Sequence, residues 1–520
     1  MITRCLLMSL LLLMMAVRSE ADYRQLVKDF DEYRPPVYTD LQEEAVPEQE
    51  RSPEAARFVH EEKRIRELEA FWEKALKSPR GEETFFRPPS GLLKSLKPAS
   101  TDATVATDAL AKRFSLETLE TLALLRNPGI RAAEDRTRAA IDTFTQVLAL
   151  DEILRRYTAF TEGIMTGVGP VKGKDPIEKR FPFPGVLSLK GEIVGQVVKA
   201  VVEDLEIARR EAITEARKAY WDLLFVRKAR GITRDTLDLL RRLEKVAIIR
   251  YETGGTSYQD VIKVRIQREI LEEDLDTLLE RQRNVETKIR EILNLPPETN
   301  IGPPENREPV RVVPPLRALY KLALERRQEL RRMRAQVGKM ERLIEMAETM
   351  ILPPYTLGFS FYEDEAVNQV GSVATKEAFP VSTQASTGFG LPKMPWYGIE
   401  DAYLRQTQQE LNALRRELEK EEAATMMLVR NAWFRLDLAK REESLYRNSI
   451  LKLSRTALDV STQGYEAGNV SFADVISSYT SWLDTNLAAE QKMSALGIAR
   501  AQLENVLGAP LPQELKEAPQ

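Results

Sequence analysis

The sequence holds one cysteine, Cys5, and one histidine, His60. Cys5 lies before the core of an apolar amino-terminal stretch, so a chain that loses this stretch has neither disulfides nor thiol chemistry. A lone histidine cannot build a His-rich metal site or activate a nucleophilic thiol, and neither H-E-x-x-H nor a phosphate-binding loop is present. His60 therefore reads as an exposed helix residue, no cofactor is implied, and no enzyme is expected. Aromatics make up only 7% of the residues while charged groups make up 30%, a balance that suits long solvated helices better than a compact enzyme. Charge of one sign is also lacking: the net charge is −4, which gives no basic field for nucleic acid. The basic run Arg326–Arg342 is interleaved with Glu329 and Glu341 and reads as a solvated helix face.

Long hydrophobic runs are scarce too. Met1–Ala21 has a basic Arg4, an apolar Leu6–Val17 and a small-x-small Ser19-Glu20-Ala21, the pattern of a secretory signal. Its apolar part is shorter than the ~20 residues of a spanning helix. No later segment approaches that length, so any membrane crossing falls to β-strands. Residues 22–113 are poorly patterned, acidic over Asp40–Ser52 and punctuated by proline. They read as a partly disordered extension wrapped on the main body, with one helix over about Pro53–Lys77.

Proline and glycine are missing where they would matter most. Val186–Arg250 contains no proline, and Ile399–Gln463 contains neither proline nor glycine. Each stretch is 65 residues, ~98 Å as a helix, which is hard to fit to a globular core. Asn127-Pro128 reads as a cap and first turn, followed by a seam of small residues at Ile130, Ala133, Thr137, Ala140, Phe144 and Val147. Leu271, Leu275, Leu278, Gln282, Val285, Ile289 and Ile292 keep a four-three spacing, the mark of a left-handed coiled coil.

The chain contains one motif twice. Tyr251-Glu252-x-Gly254-x-x-Ser257-x-x-Asp260-Val261-Ile262 returns as Tyr465-Glu466-x-Gly468-x-x-Ser471-x-x-Asp474-Val475-Ile476, at an offset of 465 − 251 = 214. Such an offset marks a duplicated multi-helix unit. In each copy glycine ends one helix, and Ser-x-x-Asp reads as a capping box that starts the next. Each copy is thus the bend of a helical hairpin. Asp260 and Asp474 have two readings, helix caps or a ring of carboxylates at the end of a tunnel.

Strands are expected where the helices break. Tyr355, Leu357, Phe359 and Phe361 alternate with small or polar residues, and Val381–Leu391 alternates likewise, which fits either a barrel hairpin or a surface hairpin. The first break alternates poorly over Tyr157–Val171, and Lys172–Arg180 reads as a charged loop. Phe181-Pro182-Phe183-Pro184-Gly185 reads as a rigid elbow between strand and helix.

The duplicated motif, in matching places of matching repeats, resembles the inner-helix turn of the TolC-type outer-membrane efflux proteins, over roughly residues 114–510. The resemblance implies a mainly α fold with a small β part: two tandem repeats of long coiled-coil helices plus a β-hairpin, forming a trimeric α-barrel with a transmembrane β-barrel. The ranges follow as 1–21 signal, 22–113 extension, 114–300 first repeat, 310–510 second repeat and 511–520 tail. It further implies an outer-membrane homotrimer with a long periplasmic extension. Such a trimer is a passive exit duct for tripartite efflux or type I secretion, working with a periplasmic adaptor and an inner-membrane pump. A single hairpin per protomer would give a trimer only six strands, below the eight of the smallest single-chain barrels, so the first break must add two more. By the same resemblance, Gly254, Gly255, Gly468 and Asn469 match the turn that adaptors contact. Asp260 and Tyr465 match an acid–tyrosine pair linking neighbouring helix pairs, and Asp474 matches a tunnel-lining acid. Val470 stands where an arginine is usual, and Ser477 where a second acid is usual. The competing reading is a periplasmic coiled-coil adaptor or spacer without a barrel.

Overall fold

The computed structural model describes residues 53–77, 84–145, 177–181, 186–350, 355–362, 382–388, 399–467 and 469–511. The signal stretch, the acidic run, Tyr157–Val171, Pro182–Gly185, Gly468 and the tail beyond 511 lie outside them, as does the side chain of His60. Residues 60–520 form one compact unit, within which all packing below falls.

Helix α1 spans Pro53–Lys77, and its residues from 60 onward pack along the main body. Ile65 is buried there, so closely that an added Cβ on Gly191 would meet its side chain. Short helices α2 (Ser90–Leu96), α3 (Ala103–Ala111) and α4 (Leu116–Arg126) follow, then α5 over 128–145. Helix α6 runs unbroken from Val186 to Glu252, 67 residues or ~100 Å. Helix α7 (Tyr258–Leu293) returns along it, and α8 (Leu316–Arg326) and α9 (Gln328–Met350) open the second half. There α10 (Ile399–Leu445) and α11 (Leu451–Glu466) make the long outward limb, and α12 (Phe472–Leu507) returns. The long limb expected over Ile399–Gln463 is thus present, but a five-residue π turn at Tyr446–Ile450 interrupts it. Among the described residues no helix is long and apolar enough to cross a membrane.

Helices α7 and α12 are each 36 residues, about half the length of α6, and a second short helix extends each of them end to end. Asn294, in a left-handed conformation (φ 48°), ends α7. Arg126 donates to the freed carbonyls of Leu293 and Asn294, both at 3.0 Å. Asn127 works both ways, donating to Ile292 O at 2.9 Å while its Oδ1 accepts from Ile130 N at 3.2 Å. The expected cap at Asn127-Pro128 is therefore also the splice between two helices. At the other joint Gly508 (φ 72°) ends α12, and Gln328 Nε2 donates to its carbonyl at 2.8 Å. Helix ends that would otherwise leave buried orphan carbonyls are satisfied by the next helix.

The core at these joints includes residues that the sequence pattern did not single out. Phe85, Leu96, Ala99, Ala106 and Leu110 are buried against Tyr220, Trp221, Leu223 and Ile292. This part of the extension is folded onto the body by one or two apolar anchors per short helix, too few to make a periodic signal. The basic run also differs from expectation. Arg331 pairs with Glu203 at 3.0 Å, Arg332 with Asp204 at 2.8 Å and Arg342 with Glu192 at 3.0 Å, all across to α6, while Arg334 reaches Glu422 of α10 at 2.9 Å. It is a face between helices as much as a solvated one.

The same boundary gives an acid-sensitive contact. Buried Arg210 on α6 holds Glu329 through both Nη atoms, at 2.6 and 2.8 Å. Burial works against the charged carboxylate, but the guanidinium overrides it and brings the Glu329 pKa down to about 2 from 4.5. A depressed carboxylate contributes stability above its unfolded pKa and loses it as pH falls through the folded one. Glu329→Gln should therefore lower the melting temperature at pH 6, and the gap to wild type should close between pH 4.5 and about 2. A gap independent of pH, measured by circular dichroism, would assign the loss to packing instead.

Three strands are described: β1 (Ile177–Phe181), β2 (Tyr355–Tyr362) and β3 (Ser382–Gly388), in the order β1-β2-β3. Both neighbours are antiparallel, with Ile177 opposite Phe359 and Phe361 opposite Thr383. Part of the expected charged loop, Ile177–Arg180, is therefore strand. Ladder bonds use the backbone, so Glu178, Lys179 and Arg180 are no obstacle, and charge is common on edge strands.

Candidate functional site

The long helices carry both copies of the duplicated motif to one end of the body. At the first, α6 closes in a two-bond glycine cap. Gly255 N donates to Arg250 O at 2.7 Å and Gly254 N to Tyr251 O at 3.0 Å. This Schellman pattern needs a left-handed residue, and Gly254 has φ 75°. Ser257 then caps α7, accepting from Gln259 N at 3.0 Å. The capping box is not reciprocal as expected, because the Asp260 carboxylate goes elsewhere. It accepts from Thr256 Oγ1 at 2.6 Å and lies 3.5 Å from Lys263 Nζ.

At the second tip Asn469 N donates to Gly464 O at 2.8 Å, the counterpart of the Gly255–Arg250 bond 214 residues earlier. Ser471 Oγ accepts from Asp474 N at 3.2 Å and donates to Asp474 Oδ2 at 2.6 Å, so here serine and aspartate do pair. Val470 turns inward onto Gly464, where an added Cβ would overlap its side chain. Val470, which stands where the resemblance makes an arginine usual, is thus an internal packing contact.

Behind the tips the two hairpins share one core, with Val261, Val264 and Ala247 from the first and Leu458, Phe472 and Val475 from the second. Tyr465 belongs to it, 4% exposed, its ring tilted against Phe472 at 5.3 Å and covered by the Arg250 guanidinium at 4.2 Å. Its hydroxyl has no hydrogen-bond partner among the described residues. The single chain therefore does not join Asp260 to Tyr465. Asp260 is half-buried and satisfied locally, whereas Asp474, Gly254, Gly255 and Asn469 are exposed. Sequence reasoning did not single out Tyr479, another buried hydroxyl without a partner among the described residues. Burial pushes its phenol pKa well up, against the pull of Arg242 and Arg455. The only sequence signal for it was its place one helical heptad after Phe472.

Residues 319–509 match the family described as outer membrane efflux protein. This stretch is similar to an outer membrane efflux protein domain. The efflux-protein domain runs from α8 through α12, so the resemblance drawn from the duplicated motif is borne out for the second repeat. Solved structures share the fold over most of the chain. A membrane protein from Pseudomonas aeruginosa aligns at TM-score 0.56 and 17% identity, over 77% of this chain and 95% of its own. The outer-membrane channel OprN aligns at TM-score 0.56 and 16% identity, over 84% and 95%. The outer membrane protein VceC from Vibrio cholerae aligns at TM-score 0.56 and 14% identity, over 76% and 96%. No curated protein sequence gives a significant match.

Proposed function

We propose that the chain is a passive outer-membrane channel, the exit duct of a tripartite efflux or type I secretion machine. It works as a homotrimer, with its helices in the periplasm, an adaptor at the tips and an inner-membrane pump supplying the energy. The observation that carries this reading is the apolar stripe that each hairpin leaves uncovered. On α7, Ile262, Ile266 and Ile270 are 37, 52 and 49% exposed at four-residue spacing. On α11, Leu453 and Val460 are 70 and 61% exposed, one heptad apart. Exposed apolar stripes of this kind mark a face that another surface covers, and the seven-residue spacing on α11 is that of a coiled-coil seam. Two different stripes on one chain suit a heterologous contact, which closes into a ring when the rotation allows it. The efflux-protein domain and the channels of like fold support the ring being a duct.

In this reading the partnerless Tyr465 hydroxyl awaits Asp260 of a neighbouring hairpin pair, Asp474 lines the duct, and Gly254, Gly255, Gly468 and Asn469 form the turns an adaptor grips. The strands at the other end of α6 close with those of two further copies into the membrane barrel. They also speak against a spacer without a barrel. The test is membrane recovery. In the alternation of β2, Phe359 belongs to the apolar set, so Phe359→Arg should cost roughly 2–4 kcal/mol and deplete the outer-membrane fraction, while Ser360→Arg should not. Equal recovery of the two variants would favour the spacer.

A further inference from the structure

The two repeats are not in one constant register. Ala219, Leu223 and Val226 of α6 correspond to Ala432, Leu436 and Ala439 of α10 at an offset of 432 − 219 = 213, and all six are buried. At the tips the offset is 465 − 251 = 214. The second repeat therefore carries one extra residue between Ala439 and Tyr465, and the π turn Tyr446–Ile450 lies in that interval. A π turn is how a helix absorbs a single insertion while both flanks keep their faces.

The turn sits in a waist with little apolar packing. From residue 440 to 457 the only buried residue is Glu443, and on the facing stretch 484–493 of α12 none is buried. The corresponding stretches of the first hairpin keep a core, with Ala229, Leu237 and Leu240 buried on α6 and Leu271 and Leu278 on α7. What ties the second waist down is ionic: Lys492 of α12 reaches Glu442 at 3.0 Å, and the segment between the repeats adds a cluster of its own. Arg311 grips Glu443 with two bonds of 3.1 and 3.0 Å. Glu308 accepts from Arg447, inside the π turn, at 2.8 Å and from Arg311 at 3.3 Å. Arg447 returns to Glu443 at 3.5 Å, closing the circuit.

We propose that the π turn Tyr446–Ile450 is a hinge in the second hairpin, and that the inter-repeat segment latches it through Glu308 and Arg311. The hinge lets the tip beyond residue 457 swing on its own apolar core, while the first hairpin, packed continuously past the same level, stays fixed. Releasing the latch frees one hairpin of each chain and not the other. The hinge moves one part of the chain against another, so amide exchange reads it whether or not the protein conducts.

The experiment is hydrogen–deuterium exchange on the full-length protein in detergent micelles. In wild type, amides of 444–457 should exchange at least about tenfold faster than those of 230–243, as local opening follows apolar contact density. Glu308→Gln should raise exchange over 440–493 and leave 227–279 unchanged, and Glu308→Asp should restore part of the protection. Equal exchange in the two hairpins of wild type would overturn the hinge. An equal rise in both hairpins, or none in either, on Glu308→Gln would overturn the latch.

Discussion

Arg217→Met should destabilise the helical body by roughly 3–5 kcal/mol, because it strands two carboxylates in the core. The guanidinium joins Glu120 of α4 at 2.5 Å to Glu504 of α12 at 2.6 Å. The side chains of Glu120 and Glu504 are only 5 and 8% exposed. The Arg217 guanidinium also lies 5.1 Å from the Phe85 ring, so one side chain holds the extension, the first repeat and the second together. Glu504 keeps Arg500 at 3.2 Å and the Leu511 amide at 3.1 Å, so Glu120 takes most of the damage. Burial already pushes the Glu120 pKa up against the pull of Arg217. Without the arginine it should ionise at still higher pH, and acid, by neutralising it, should narrow the gap to wild type. Urea unfolding followed by helix ellipticity at pH 5 and pH 8 measures this. A loss below about 1 kcal/mol at pH 8 would show that solvent reaches the triad and that it behaves like a surface pair.

The helices were legible because their signals are long. The proline-free runs, the Asn127-Pro128 start and the seam from Leu271 to Ile292 each repeat one rule over many residues, and the structure follows them. The π turn was not legible, since a single inserted residue leaves no compositional trace and shows only when the buried positions of the two repeats are set side by side. The fold of residues 84–111 was missed for a related reason: Phe85, Leu96 and Leu110 are separate anchors, not a period. Strand β1 was hidden because its pairing uses the backbone while its side chains are charged. At the tips the sequence placed the turns and the glycine, since Gly254 answers a local demand for positive φ. It could not give the partners of Asp260, because Thr256 and Lys263 compete for that carboxylate at short range and only geometry decides between them. Nor could it show that Val470 packs on Gly464, a contact across the bend.

The central claim, a duct narrowed at its helical tips, is tested most directly by single-channel current across a planar bilayer. The purified full-length protein should give stepwise, cation-preferring currents, because three copies each of Asp260 and Asp474 would line the narrow end and carboxylate rings favour cations. Asp260→Asn and Tyr465→Phe should each raise the unit conductance by a similar factor, since the buried Tyr465 hydroxyl has no partner among the described residues and, in the proposed trimer, would take one from a neighbouring hairpin pair. Helix ellipticity should be unchanged in both, because Asn keeps a cap-compatible side chain and the change costs about 1 kcal/mol or less. Wild-type currents in both variants, with a lower melting temperature for Asp260→Asn alone, would leave Asp260 as a helix cap and no more. An absence of current from correctly folded, membrane-inserted wild type would contradict the duct itself.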